Sequence, residues 1–141
     1  MADLDVLPVW PPGTVAVLST GAGAPHAIPV STAQRAGDRT ILFALARTRE
    51  SLERLRADAR CALTILAAAD VAFTAHGRAA IVEDPMAAAG RVAALRLEVE
   101  RVQDHSRPTF AIEDGVQWRW ADDDAEAADA GVRAALQALA P

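Results

Sequence analysis

Arg47, Thr48, Arg49 and Ser51 crowd two guanidinium groups and two hydroxyls into one short stretch of the chain. A guanidinium is a planar fork of N–H donors matched to phosphate oxygens, and hydroxyls add short hydrogen bonds to the same oxygens. This set of groups suits a small anion. It would equally make an ordinary solvated basic face, so the backbone that carries it decides what it can do.

That backbone reads as a strand emptying into a helix. Ile41 to Ala46 is an almost uninterrupted apolar run, the pattern of a strand covered on both faces. From Arg47 the period changes: Leu52 and Leu55 share a helical stripe, Thr48 stands where a cap is needed, and Glu50 lies in the first turn, where the helix dipole favours an acid. Cys61 to Leu66 is apolar again and predicts another buried strand. A helix N-terminus with free amides beside arginines and hydroxyls is a natural phosphate site.

The remaining reactive side chains are less suggestive. Every cation among the 14 Lys+Arg residues is an arginine, which excludes Schiff-base chemistry through lysine. His26, His76 and His105 lie far apart and lack metal-ligand spacing, so hydrogen-bonded or surface roles are expected and no metal site is predicted. Cys61, the single cysteine, falls in an apolar run and reads as an inert core thiol. Asp122 to Asp124 reads as a solvated helix start, since the glycine and glutamate of a calcium loop do not follow. Trp118 and Trp120 alternate around Arg119 and would share one sheet face, for packing or for stacking on a ring. No Ser/His/Asp set can be assembled from spacing alone.

At 141 residues the chain is long enough for one domain, residues 1–141, with its own core. Aromatic residues are only 4%, so alanines and small aliphatics must build that core, and dimerisation would bury more surface. A net charge of −5 disfavours nucleic acid as a partner. No run approaches the ~18 apolar residues of a membrane span, and no leader pattern opens the chain, so a cytoplasmic protein is expected.

Around the organising stretch, Pro8, Pro11 and Pro12 predict a lead-in lying along the surface. Thr14 to Thr20 and His26 to Thr32 form a hairpin, with Pro29 marking an edge or bulge. Val71 to Val82 predicts a long strand bent at Gly77. Asp84 and Pro85 open a helical segment to about Val92. The strict alternation of Leu95, Leu97 and Val99 with Arg96, Glu98 and Glu100 favours a strand over a helix between Ala94 and Val102. Thr109 to Ile112 and Val116 to Trp120 read as a hairpin around Asp114-Gly115, and Asp123 to Leu139 as an amphipathic helix. The sum is a mainly β, antiparallel barrel of six or seven strands with peripheral helices.

The ordered set Val15 to Thr20, Pro25 to Ser31, Ile41 to Ala44, Leu52 to Asp58, Ala62 to Ile65 and Gly77 to Pro85 resembles the pyridoxamine 5′-phosphate oxidase-like family of flavin-binding split barrels. The resemblance implies a homodimer with a flavin in each groove between subunits and a small-molecule substrate. It implies FMN as cofactor, with the deazaflavin F420, haem or an empty groove as the alternatives found among such proteins, and hydride exchange between a reduced nicotinamide and a small acceptor. Carried onto this chain, Pro29, Val30 and Ser31 would line the ring, Arg47, Thr48, Arg49 and Ser51 would hold the phosphate, and Trp118 would stack on the flavin from the partner. One departure stands out: relatives often carry a lysine where this chain has Ser51, leaving Arg49 or Arg54 to supply that charge.

Overall fold

The structure is a computed structural model and describes residues 3–141. Its strands are β1 (Asp3–Leu4), β2 (Ala16–Thr20), β3 (His26–Val30), β4 (Gln34–Gly37), β5 (Thr40–Ala46), β6 (Arg60–Ala67), β7 (Val71–Glu83) and β8 (Val92–Asp104). Helix α1 (Glu50–Ala57) follows β5 and α2 (Asp123–Ala138) closes the chain. All strands pair antiparallel in one sheet of order β3-β2-β6-β7-β8-β5-β4, with β1 added on β8. The sheet curls as a split barrel and does not close, because β3 and β4 end the order without pairing to each other. In the link between β3 and β4, the Thr32 hydroxyl donates to Ala44 O of β5 at 3.2 Å and accepts from Ala44 N at 3.0 Å.

β5 has the two-sided burial that its apolar run predicts. Ile41, Phe43 and Leu45 enter the main core, while Leu42 and Ala44 face the other way into a second cluster with Met86, Ala94 and Leu136 of α2. Fully burying a side chain such as Phe43 or Leu136 is worth roughly 1.5–3 kcal/mol, so α2 is held on the sheet by packing. Asp122 caps it, accepting from Ala125 N at 2.8 Å. Pro29 sits on the terminal strand β3, the edge position at which a sheet tolerates proline. β8 is a strand throughout, as alternation predicts.

Four expectations are corrected. The lead-in is not confined to the surface: Leu7 and Trp10 are buried in the main core, and Trp10 Nε1 donates to Ala33 O at 3.0 Å. Polar Gln34–Gly37 forms an edge strand that apolar patterning could not reveal. The helix expected from Asp84 to Val92 is a tight turn, in which Met86 N donates to Val92 O at 2.9 Å and Met86 bridges Ala89. Asp84 cannot serve there as a cap because Arg47 and Arg56 both claim its carboxylate. The hairpin expected between Thr109 and Trp120 is an irregular arm. Its backbone bonds go elsewhere: Ile112 N donates to Asp70 Oδ1 at 2.6 Å, and Asp70 N to Ile112 O at 3.4 Å.

Candidate functional site

The junction from β5 to α1 is built by backbone bonds that leave its side chains outside. Arg47 N donates to Arg91 O at 2.9 Å and Arg49 N to Ala46 O at 3.0 Å, which turns the chain sharply before Glu50. Arg49, not Thr48, is the N-cap residue, and no side chain caps the helix. Free first-turn amides and the positive end of the helix dipole are thus left for an acceptor. Thr48 and Arg49 are exposed beside them, and the Arg49 guanidinium has neither a hydrogen bond nor an ion pair with any described residue.

The other two predicted phosphate ligands are engaged elsewhere. Arg47 Nε donates to Asp84 Oδ1 at 2.6 Å, and Asp84 Oδ2 takes Arg56, so one carboxylate is shared by two guanidinium groups. Ser51 is fully buried, its Oγ 3.3 Å from Nε2 of His26, whose Nδ1 lies 3.1 Å from Glu50 Oε2. This acid–imidazole–hydroxyl row has the order of an activated nucleophile. Enclosure of the hydroxyl keeps substrate from it, and the row instead ties β3 to α1. Arg54 donates to Ala24 O at 2.8 Å and also to Ala22 O, fastening the turn between β2 and β3. Of the two arginines that could stand in for the family lysine, only Arg49 remains available.

On β3, Pro29 is exposed and Val30 is buried in the core, so Val30 can offer a ligand only its backbone. Ser31 O accepts from Arg133 Nη2 of α2 at 2.7 Å. Trp118 donates from Nε1 to Gly13 O at 2.9 Å and meets Trp120 edge-on, with ring centroids 4.9 Å apart. A Cβ on Gly13, whose φ is +81°, would lie 3.3 Å from the Trp118 ring and 4.0 Å from Arg133 Nη2. Hence Ser31, Arg133, Gly13 and Trp118 form one neighbourhood. Arg133 is absent from the sequence-derived site. Its signal is the i,i+4 pair with Asp129, both side chains largely buried, at 12% and 17% exposure.

Titration places the remaining polar groups. Burial pushes the Cys61 thiol up to about 12, which fits an inert core residue. Asp58, at the end of α1, accepts from the Arg60 side chain and backbone N–H, and its pKa falls from 3.8 to about 2. A carboxylate depressed on folding stabilises the native state above its ordinary pKa, and that contribution disappears as pH falls through the folded value. The Asp58 carboxyl should therefore titrate near 2 by NMR, and Arg60→Ala should return it toward the usual range. An unchanged Asp58 in that variant would assign the shift to another cause. His76 Nε2 lies 3.0 Å from Gln103 Oε1 and His105 Nε2 2.7 Å from Thr74 Oγ1, so both histidines are held by neighbours. Among the described residues no group of three or more His, Cys, Asp or Glu could hold a metal, and no helix is long and apolar enough to cross a membrane.

Comparison with known proteins places these features in context. The family model described as pyridoxamine 5′-phosphate oxidase matches residues 9–119. Among solved structures, the chain is similar to a candidate pyridoxamine 5′-phosphate oxidase from Lactobacillus delbrueckii, at 16% identity and TM-score 0.59, over 72% of this chain and 98% of that one. It is similar to a FAD-binding protein from Mesorhizobium loti at 15% identity and TM-score 0.53, covering 63% and 83% of the two chains. It also resembles an F420 reductase at 13% identity and TM-score 0.56, covering 66% and 91%. No curated protein matches the sequence.

Proposed function

Because the chain belongs to the pyridoxamine 5′-phosphate oxidase family, we propose that it is an FMN-binding split-barrel oxidoreductase that moves hydride between a reduced nicotinamide and a small acceptor. The observation that carries this reading is the uncapped start of α1, with Thr48 and the unpaired Arg49 guanidinium exposed beside it. In this reading Thr48, Arg49 and the first-turn amides hold the phosphate. The backbone of Pro29 to Ser31 and the Arg133 guanidinium border the ring. FMN, when bound, supplies the two-electron chemistry; the chain supplies position and charge. A second copy would cover the outer face of β2 and β6, where Val17 and Leu66 are 42% and 49% exposed, which supports a homodimer.

A second reading, a barrel without a working cofactor site, draws support from the inward Ser51 and from Asp84 occupying Arg47. One titration separates the two. FMN fluorescence should be quenched on binding, and Arg49→Ala should weaken FMN by about five- to tenfold, as loss of a charge-assisted contact predicts. Riboflavin, which has no phosphate, should be indifferent to that substitution. Absence of quenching with wild-type protein, or equal loss for both flavins, would favour the second reading.

A further inference from the structure

Arg91 ends the tight turn between β7 and β8, and that turn is fixed by its own backbone. Met86 N donates to Val92 O at 2.9 Å, Val92 N donates to Ala89 O at 3.2 Å, and the Met86 side chain is buried. Arg47 N in turn donates to Arg91 O at 2.9 Å, one step beyond the pairing of Ala46 with Val92 that ends the ladder between β5 and β8. The two arginines therefore stand opposite each other on antiparallel chains, where Cβ atoms lie roughly 4.5–5.5 Å apart and like charges repel. Arg49, whose N–H bonds Ala46 O, lies within one tight turn of both.

Two cations at this place lack a counter-charge. Asp84 gives one oxygen to Arg47 and the other to Arg56. Glu53 also takes Arg56, Glu50 faces His26 and Arg54, and Glu83 accepts from Ala87 N. Each of these acids is thus engaged, while the exposed guanidinium groups of Arg49 and Arg91 have neither a hydrogen bond nor an ion pair with any described residue. The chain as a whole carries −5, so the surplus runs against its overall charge.

We propose that Arg91 is the second cation of the phosphate site at the start of α1, and that Arg49 and Arg91 together grip one dianionic phosphate monoester. Such a group carries about −1.5 to −2 at neutral pH, which two guanidinium groups match. Arg91 extends the flavin-phosphate reading, on which its assignment rests, and takes the place that Arg47 loses to Asp84.

The test titrates FMN and riboflavin by fluorescence, and inorganic phosphate by calorimetry, into the full chain and its variants. Arg91→Ala should weaken FMN about five- to tenfold and leave riboflavin unchanged, as loss of one charge-assisted contact predicts. Its melting temperature should match that of the wild type, because the side chain bonds no described residue. The double variant Arg49→Ala with Arg91→Ala should bring FMN down to the affinity of riboflavin. Arg78→Ala removes an equal charge from an exposed position of β7, where Arg78 faces Glu100, and should leave FMN binding near wild type. Wild-type FMN affinity in Arg91→Ala, or equal losses in Arg91→Ala and Arg78→Ala, would overturn the proposal and leave the flavin reading standing. If neither flavin binds, the flavin reading fails by itself and inorganic phosphate decides. Phosphate binding that Arg91→Ala abolishes upholds the anion site; binding that survives the substitution, or none by the wild type, overturns it.

Discussion

Gly77→Val is expected to cost more than about 4 kcal/mol, beyond the ordinary range for a point substitution, and to leave little folded protein. β7 changes register against β8 between His76 and Gly77. There a Cβ would stand 2.0 Å from Glu98 O and 2.9 Å from Glu98 C. Both are main-chain atoms of a strand bonded on both sides, so no flexible side chain can yield. Gly77 also faces Cys61 in the pairing of β6 with β7, which passes any displacement to a third strand. Even Gly77→Ala should lower the urea midpoint sharply. A midpoint near wild type for the alanine variant would mean that the bulge relaxes, and the close approach would then not be the reason for glycine.

Asp84→Asn should raise affinity for inorganic pyrophosphate by roughly ten- to a hundredfold, in the range of strong charge-pair couplings. In the wild type the Asp84 side chain is 17% exposed and bonds Arg47 and Arg56, each about half exposed at 48% and 41%. It holds the place an incoming anion would take between them. Asparagine keeps the shape and removes the charge, freeing the Arg47 guanidinium and leaving Arg56 with Glu53 as its remaining acidic partner. Isothermal titration at low salt reads the change, which should shrink as salt screens it. Unchanged or weaker binding would show that Asp84 arranges the arginines for an anion and does not compete with one. Thermal melting alongside should register a modest loss, because two like charges are left adjacent.

The sequence was informative wherever burial had a period. Ile41 to Ala46 announced a two-sided strand because both faces of β5 are covered, and Leu95, Leu97 and Val99 announced β8 because only one side of each faces the core. Legibility failed where partners distant in sequence replaced local ones. Thr109 to Trp120 has strand-prone composition, but Asp70 and Gly13 take its donors. Asp84 looks like a cap until Arg47 and Arg56 arrive from β5 and α1. At the site, the crowding of Arg47, Thr48, Arg49 and Ser51 was visible, yet which of them point outward was not. Ser51 turns in because His26, 25 positions earlier, offers it a partner. Arg133 escaped notice because its contact with Ser31 spans 102 positions.

β8 is bonded to β1, β5 and β7, and its pairing Asp3↔Gln103 joins residues at opposite ends of the sheet-forming chain. During synthesis the early strands must therefore wait, with open edges, until Asp104 has left the ribosome. Such distant pairings exact loop-closure entropy before they return any contact energy, which places the rate of folding in the slow regime of all-β topologies, on the order of milliseconds to seconds. Until β8 docks, the nascent chain has the greatest need of a chaperone.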